Sequence, residues 1–133
     1  MKVIHDDSTV SVLADATRFS GRVWRTDYID PADEESLAGL RFVYEPGARS
    51  HWHVHEREQA IVAVYGRGLV AWEGLAAPIA LRVGDWWHVE PQVPHWHGAT
   101  PHAPFAHIAI TAGGSITWLQ EVSDDDYRTA PSS

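Results

Sequence analysis

The chain contains no cysteine, few basic residues and no long apolar run. Without cysteine, neither a disulfide nor a thiolate metal site can form. No apolar stretch approaches the roughly 18 residues of a membrane-spanning helix, and the first residues do not resemble a signal peptide. The 10 lysines and arginines against 18 aspartates and glutamates give a net charge of −8, which disfavours contact with nucleic-acid phosphates and with anionic membrane surfaces. We therefore expect a cytoplasmic protein that binds neither nucleic acid nor membrane.

Short alternating or β-rich segments between glycine and proline turns make up most of the chain. They cover residues 22–29, 40–45, 50–55, 59–65, 69–72, 79–83, 86–89, 105–111 and 116–122. A turn at 66–68 separates the fourth segment from the fifth. Short strands between regularly spaced turns favour an antiparallel barrel or double-sheet jelly roll. A length of 133 residues predicts a single domain, so we expect one all-β domain, 1–133.

The end of the chain has a different pattern. Ser123 and Asp126 resemble a capping box, which predicts a short C-terminal helix through Arg128. The last residues, 129–133, are expected to form a frayed tail.

Three histidines, His51, His53 and His55, occur at alternate positions, and Gln59 follows four residues after the last of them. In an extended strand, alternate side chains point to the same face. Three imidazoles therefore converge on one side of this segment, with Trp52 on the other.

A second cluster, His95 and His97, repeats this spacing, and His107 lies in a later apolar segment. A single histidine in such a pattern is often a half-buried strand residue rather than a ligand. Imidazole is also the commonest ligand for divalent transition metals, and histidines on neighbouring strands can complete one coordination sphere. Two clusters, each placed just after a turn signal, favour a metal site.

Seven tryptophans are many for a chain of this length. Aromatic side chains dominate the buried area of small domains, so core packing accounts for most of them. The alternative is the wall of a pocket for an aromatic small-molecule substrate, with Trp52, Trp86, Trp87 and Trp96 as the candidate group. We predict Trp52, Trp96 and Phe42 as substrate-pocket residues.

The strand order and the two histidine clusters resemble the cupin family. Its first motif runs from a glycine through His-x-His to a Glu or Gln and a second glycine, and its second motif runs from Gly-Asp through a proline to a histidine. The matching residues are Gly47, His53, His55, Gln59 and Gly66 in the first motif and Gly84, Asp85, Pro91 and His95 in the second. The resemblance implies that His53, His55, Gln59 and His95 hold one divalent metal inside the barrel.

Further segments are similar to one subgroup of small cupins, the type associated with carboxymuconolactone decarboxylases. This subgroup includes bacterial manganese-dependent hydroxynitrile lyases. The segments that carry the resemblance are 19–23, 45–49, 52–59, 95–99, 107–110 and 118–127. Together they cover about residues 19–128, which implies a cupin core over that range. Because one fold hosts many chemistries, the substrate and the reaction stay open.

The implied ligands have a chemistry of their own. Three neutral imidazoles and a neutral amide leave the charge of a divalent ion uncompensated, so the site should be a strong Lewis acid. Mixed nitrogen and oxygen ligation suits manganese or iron, and zinc, nickel and cobalt are also compatible. His51 and Glu58 are further candidates for the ligand shell, although Glu58 precedes Gln59 directly and should face the other side of a strand.

We predict His97 and His107 as catalytic residues. His97 lies two residues after His95 and therefore faces the same interior, where a non-ligating imidazole can act as a general acid or base. In the alternative interpretation, each of these histidines is bonded within the barrel wall or orients a metal ligand.

Three functions are compatible with these residues. The first is a metal-dependent lyase that breaks a carbon–carbon bond next to a metal-bound hydroxyl group, as hydroxynitrile lyases do. The second is a cupin dioxygenase or an aromatic polyketide cyclase, and the third is a non-catalytic metal-bearing binding or sensor module. The extra interior histidines favour an enzyme, and the resemblance favours the lyase. We also expect a homodimer, because a partner commonly covers open jelly-roll edges and a twofold dimer is the commonest homo-oligomer.

Overall fold

In the computed structural model, which describes residues 1–30, 33 and 35–128, nearly all regular structure is β-strand. The strands of this part of the chain are β1 (Ser11–Leu13), β2 (Phe19–Ser20), β3 (Val23–Ile29), β4 (Ala38–Tyr44), β5 (Arg49–Ser50), β6 (His53–His55), β7 (Gln59–Trp72), β8 (Ile79–Arg82), β9 (Trp86–Val89), β10 (His95–Ala99), β11 (Phe105–Thr111) and β12 (Ile116–Trp118). A 3-10 helix, Asp6–Ser8, precedes them, and an α-helix, α1 (Asp124–Arg128), follows. No described helix has the length and apolar character needed to span a membrane. The expected frayed tail, 129–133, lies outside the described residues.

The strands form two antiparallel sheets that share β7. The first sheet has the order β1-β3-β4-β11-β7-β9. In the second sheet, β7 lies between β8 and β10. The other side of β10 pairs with β5 and β6, which in turn pair with β2 and β12. This arrangement confirms the predicted all-β antiparallel jelly-roll barrel with one short C-terminal helix.

Strand β7 is a continuous strand of 14 residues, although the sequence predicted a turn at 66–68 inside it. Its first half pairs with β9 and β11, and its second half pairs with β8 and β10. Gly66 has a φ of 71° where the strand passes from one sheet to the other, and the ladder with β11 shifts register between Ala106 and His107. The turn prediction was therefore wrong, because here glycine allows a bend within a strand and not a reversal of the chain.

Alternation along the strands separates an inner face from an outer face. Tyr44 belongs to the core cluster between the sheets, and Phe42, two residues earlier on β4, packs against the same cluster. On β10, His95 and His97 face inward, whereas Trp96 between them belongs to a second cluster on the outer side. The first cluster consists of Phe19, Val23, Tyr44, Ala48, Ala63, Val70, Leu81, Ala99 and Phe105.

Helix α1 packs on the outer face of the second sheet. The backbone N–H of Asp126 donates to the Ser123 hydroxyl at 3.1 Å, which is the hydrogen bond that the capping pattern predicted. Tyr127 lies against Trp96 with ring centroids 6.0 Å apart, and its hydroxyl donates to the carbonyl of Ala99. The helix therefore covers the outer side of β10, and all five residues of that strand are buried.

The bend in β7 generates a stability prediction. A Cβ on Gly66 would lie 1.8 Å from the carbonyl oxygen of Pro104, and the positive φ already disfavours other residues. We expect Gly66→Ala to lower the free energy of unfolding by about 3 kcal/mol or more, because the paired backbones must move apart. Chemical denaturation measures the change. Gly74→Ala is the matched control. The φ of Gly74 is +91°, but no atom would lie within 4 Å of the added Cβ, so we expect the free energy of unfolding to fall by only about 1–2 kcal/mol. Equal losses in the two variants would contradict the role of the Pro104 contact.

Candidate metal centre

A cavity of about 530 Å³ lies between the two sheets, a volume typical of small-molecule sites. Its polar lining includes His53, His55, Gln59 and His97. Its apolar lining includes Phe19, Leu40, Phe42, Ala109, Ile116 and Trp118. Four of the predicted metal and catalytic residues thus share one cavity with the predicted pocket residue Phe42.

Backbone carbonyl groups orient the rings of His53 and His95. Nδ1 of His53 donates to the carbonyl of His51, and Nδ1 of His95 donates to the carbonyl of Val93, each at 2.9 Å. Because a carbonyl can only accept, each Nδ1 carries the proton and each Nε2 of the neutral ring has a free lone pair. The two ring centroids are 4.2 Å apart, and Nε2 of His95 is buried without a hydrogen-bond partner. A hydrogen bond from one ring nitrogen to a backbone carbonyl is typical of histidines whose other nitrogen ligates a metal.

His55 and Gln59 provide two more buried polar atoms without a hydrogen-bond partner, Nδ1 of His55 and Oε1 of Gln59. The ring of His55 lies 5.2 Å from that of His53 and 5.3 Å from that of His95. The amide nitrogen of Gln59 donates to the hydroxyl of Thr111 at 3.1 Å, so its carbonyl oxygen is left free. A buried polar atom without a partner is destabilising, so each of these atoms is a candidate metal ligand.

The tightest group comprises His53, His95 and His97, whose candidate ligand atoms all lie within 4.8 Å of one another. All three side chains are buried. The structure therefore brings together a histidine cluster that could hold a metal ion. This cluster shares His53 and His95 with the predicted ligand set, but its third member is His97, which the sequence assigned to catalysis.

His97 and His107 are connected through Tyr44. The Tyr44 hydroxyl lies 2.6 Å from Nδ1 of His97 and 3.0 Å from Nε2 of His107, and the two histidine ring centroids are 5.0 Å apart. Tyr44 and His107 are completely buried, and neither lines the cavity. Of the two predicted catalytic histidines, only His97 faces the cavity directly.

Burial keeps the imidazoles of this cluster neutral near pH 7. Loss of solvation lowers the pKa of His107 to about 3, and loss of solvation together with the neighbouring His95 lowers the pKa of His55 to about 4. The pKa values of His53 and His97 also lie well below the usual range, first because of burial and second because of neighbouring imidazoles. Neutral rings keep their lone pairs available for a metal ion or a proton.

These donor atoms fit a divalent transition metal. The candidate ligands are imidazole nitrogens and one amide oxygen, and the chain has no cysteine that could add a thiolate. Such mixed nitrogen and oxygen sites suit manganese, iron and their neighbours. Nε2 of His95, which belongs to the group with ligand atoms within 4.8 Å of one another, would gain a partner on binding.

Two predicted pocket residues, Trp52 and Trp96, lie outside the histidine cavity. Trp96 is buried against Tyr127 on the outer face of the second sheet, and both tryptophans line a separate cavity of about 470 Å³ beside the loop after β7. Each tryptophan directly precedes or follows an inward-facing histidine in the sequence, and adjacent residues of an extended segment face opposite sides. This placement corrects the assignment of the two tryptophans to the same pocket as the histidines.

His51 and Glu58, the further ligand candidates, do not line the cavity either. The carboxylate of Glu58 is exposed and bonds to Nε2 of His88 at the surface. His51 contributes its backbone carbonyl to the ring of His53. The one-residue offset from Gln59 thus turns Glu58 outward, as alternation predicts.

Sequence reasoning missed three side chains that contact the site, Tyr44, Thr111 and Trp118. Trp118 stacks on His53 with ring centroids 4.7 Å apart. The Thr111 hydroxyl accepts a hydrogen bond from the side-chain amide of Gln59. Tyr44 lies two residues after Phe42 on β4, so the same alternation that directs Phe42 inward could have identified it. No motif marks Thr111. Trp118 begins one of the segments that resemble small cupins, but only strand pairing shows that it reaches the site.

Comparisons with known proteins agree with this geometry. A family model described as the cupin domain matches residues 40–111. The (R)-mandelonitrile lyase of Granulicella tundricola is 32% identical in a 131-residue alignment that covers 96% of this chain and 99% of that protein. The crystal structure of a cupin-like protein from Thermotoga maritima has a TM-score of 0.80 and 32% identity, and the match covers 87% of this chain and 90% of that one. A polyketide cyclase from Streptomyces resistomycificus has a TM-score of 0.72 at 18% identity, covering 96% and 91% of the two chains, which supports the fold alone.

The family model covers more than half of the chain, and the mandelonitrile lyase aligns over nearly all of it. The buried histidine cluster occupies the interior of the barrel, where the resemblance in the sequence implied a metal site. The chain belongs to the cupin family.

Proposed function

We propose that the protein is a metal-dependent lyase that cleaves a small α-hydroxynitrile into an aldehyde and hydrogen cyanide. The 32% identity to a protein named (R)-mandelonitrile lyase supports this class of reaction. The aromatic side chains of Phe42 and Trp118 in the cavity wall favour a substrate with an aromatic group.

The observation that carries the proposal is the position of His97. Its Nδ1 is bonded to the Tyr44 hydroxyl, which leaves Nε2 as the nitrogen available to the cavity that His97 lines. Burial lowers its pKa well below the usual range, so the ring is neutral and can accept a proton. A hydroxyl group bound beside the histidine cluster would lie within reach of this base.

We further propose that His53, His55, Gln59 and His95 hold one manganese or iron ion. When bound there, the metal would act as a Lewis acid and lower the pKa of the substrate hydroxyl. His97 then accepts the hydroxyl proton at Nε2, and the carbon–oxygen bond becomes a carbonyl as the carbon–carbon bond breaks. The electron pair of that bond leaves with cyanide, and protonated His97 returns the proton to it. His97 thereby acts first as the base and then as the acid.

The other functions considered from the sequence make different demands on this site. A dioxygenase would consume oxygen with a β-dicarbonyl or aromatic substrate, and a polyketide cyclase would close a ring without releasing cyanide. A sensor module would bind the metal without turning over any substrate. The same preparation of protein can therefore be tested for all of these outcomes.

The ligand assignment predicts the metal content of variants. We expect the double variant His53→Ala, His95→Ala to retain less than about 0.1 metal ion per chain. These two rings belong both to the proposed ligand set and to the tightest histidine group. His55→Ala and Gln59→Ala should each lower the content, whereas His97→Ala should leave it unchanged. Inductively coupled plasma mass spectrometry of the desalted protein measures the metal content per chain, and His51→Ala is the control. Loss of the metal in His97→Ala but not in His55→Ala would instead assign His53, His95 and His97 as the ligands.

The role of His97 predicts a loss of turnover. In the metal-loaded protein, His97→Ala should lower kcat for mandelonitrile cleavage by about 10²–10⁴-fold, the usual effect of removing a general acid–base. The release of benzaldehyde, followed by its absorbance, measures the rate. His88→Ala is the control, since His88 is exposed and contacts Glu58 at the surface. Wild-type protein that holds its metal yet releases no benzaldehyde from any α-hydroxynitrile would refute the lyase proposal.

We also propose that the outer face of the first sheet joins two copies of the chain. Trp86, Val64 and Ile110 are 67%, 42% and 37% exposed on this side of the barrel, and large exposed apolar patches mark interaction surfaces. Light scattering should give the mass of two chains for the wild type and of one chain for Trp86→Glu. Ile79→Glu, at a 42% exposed position of the second sheet, should leave the dimer intact. A monomeric wild type would contradict the proposal.

A further inference from the structure

The Tyr44 hydroxyl is the only described group that bonds both His97 and His107. Its ring is completely buried and stacks on Phe105 with centroids 5.9 Å apart and 28° between the planes. The ring thus packs the core, whereas the hydroxyl extends between the two imidazoles. The proposed reaction uses Nε2 of His97, and it assigns no role to this hydroxyl.

A tyrosine hydroxyl has one proton and can donate to only one of the two rings. The other ring must then donate to the hydroxyl oxygen. If His97 donates through Nδ1, Tyr44 donates to Nε2 of His107, and a neutral His107 must carry its proton on Nδ1. If His107 donates through Nε2, Tyr44 donates to Nδ1 of His97, and a neutral His97 must carry its proton on Nε2. The hydroxyl therefore forces the two rings into the same tautomer, either both Nδ1–H or both Nε2–H.

Only one of these two states suits the proposed chemistry. In the Nδ1–H state, the Nε2 of His97 is unprotonated and can accept a proton from a substrate hydroxyl. In the Nε2–H state, the same nitrogen already carries a proton and can only donate. The direction of the hydrogen bond between the Tyr44 hydroxyl and Nδ1 of His97 therefore determines whether this histidine can be a base.

We propose that Tyr44 is a positioning residue that holds His97 and His107 together in the Nδ1–H tautomer and so leaves Nε2 of His97 free to accept a proton. The inference rests on the proposed function for its catalytic meaning. It concerns side chains of this chain alone, and its first test needs no substrate. His107 acts in this arrangement through Tyr44, which explains how a histidine that does not line the cavity can influence the reaction.

The first test reads the tautomers directly. In full-length protein labelled with ¹⁵N in histidine and loaded with zinc, which is diamagnetic, the ring-nitrogen shifts of His97 and His107 report which nitrogen carries the proton. We expect both rings as Nδ1–H in the wild type. In Tyr44→Phe, which keeps the stacked ring and removes only the hydroxyl, His97 should shift toward Nε2–H. Tyr65→Phe, at a 61% exposed position, should leave both rings unchanged.

Two results of this experiment would overturn the proposal. One is a wild-type pair that is mixed or protonated on Nε2, and the other is a Tyr44→Phe protein with unchanged tautomers. The wild-type spectrum is decisive by itself, so the inference stays falsifiable even if Tyr44→Phe does not fold.

A kinetic measurement tests whether the Tyr44 hydroxyl affects turnover. Tyr44 does not line the cavity, so Tyr44→Phe should lower kcat by about tenfold, the effect of one lost hydrogen bond on the tautomer equilibrium, with KM and metal content unchanged. A change in KM or metal content with kcat unchanged would point to a packing role and contradict the proposal. If the wild type cleaves no α-hydroxynitrile, the proposed function fails, whereas the tautomer measurement still judges the role of Tyr44.

Discussion

Five histidine rings are buried close together in the interior of this protein, and their removal from water constrains the structure around them. Burial favours the neutral form of these imidazoles, and their nitrogens are costly to leave without partners. Backbone carbonyls bond one nitrogen each of His53 and His95, and the Tyr44 hydroxyl bonds one nitrogen each of His97 and His107. These bonds decide which nitrogens are left over for a metal ion or a proton. The chemistry of the cavity therefore follows from hydrogen bonds made outside it.

Paired strands hold this cluster together: β6 carries His53 and His55, β10 carries His95 and His97, and β11 carries His107. Strand β7 carries Gln59 in the first sheet and, after its bend at Gly66, pairs with β10 in the second sheet. Strand β10 presents His97 to the cavity, His95 to the neighbouring rings of His53 and His55, and Trp96 to the C-terminal segment. Because the amide and the imidazoles belong to paired strands, their relative positions are fixed by backbone ladders and not by flexible loops. The packing of Tyr127 on Trp96 supports the same strand from its other face.

Local geometry made much of this predictable from the sequence. The turn residues located most strand ends, and Ser123 located the start of the helix. Gly66 was misread because a glycine with positive φ serves a bend inside a strand as well as a turn between strands. Trp52 and Trp96 were placed in the wrong cavity, although the alternation that directs the adjacent histidines inward directs these residues outward. In both cases the prediction followed the residue type, whereas the position of the residue along its strand determines its role.

The sequence by itself determined that His53 and His55 share a face, that His95 and His97 share a face, and that both pairs occur on short strands. Those properties depend on residues two apart and are set by the extended backbone alone. The tertiary structure decided which of these rings approach each other, with His53 and His95 opposite one another on paired strands. It also placed Tyr44 against His97, 53 residues further along the chain. Contacts between distant residues depend on which strands become neighbours, and no periodicity within a single segment encodes that choice.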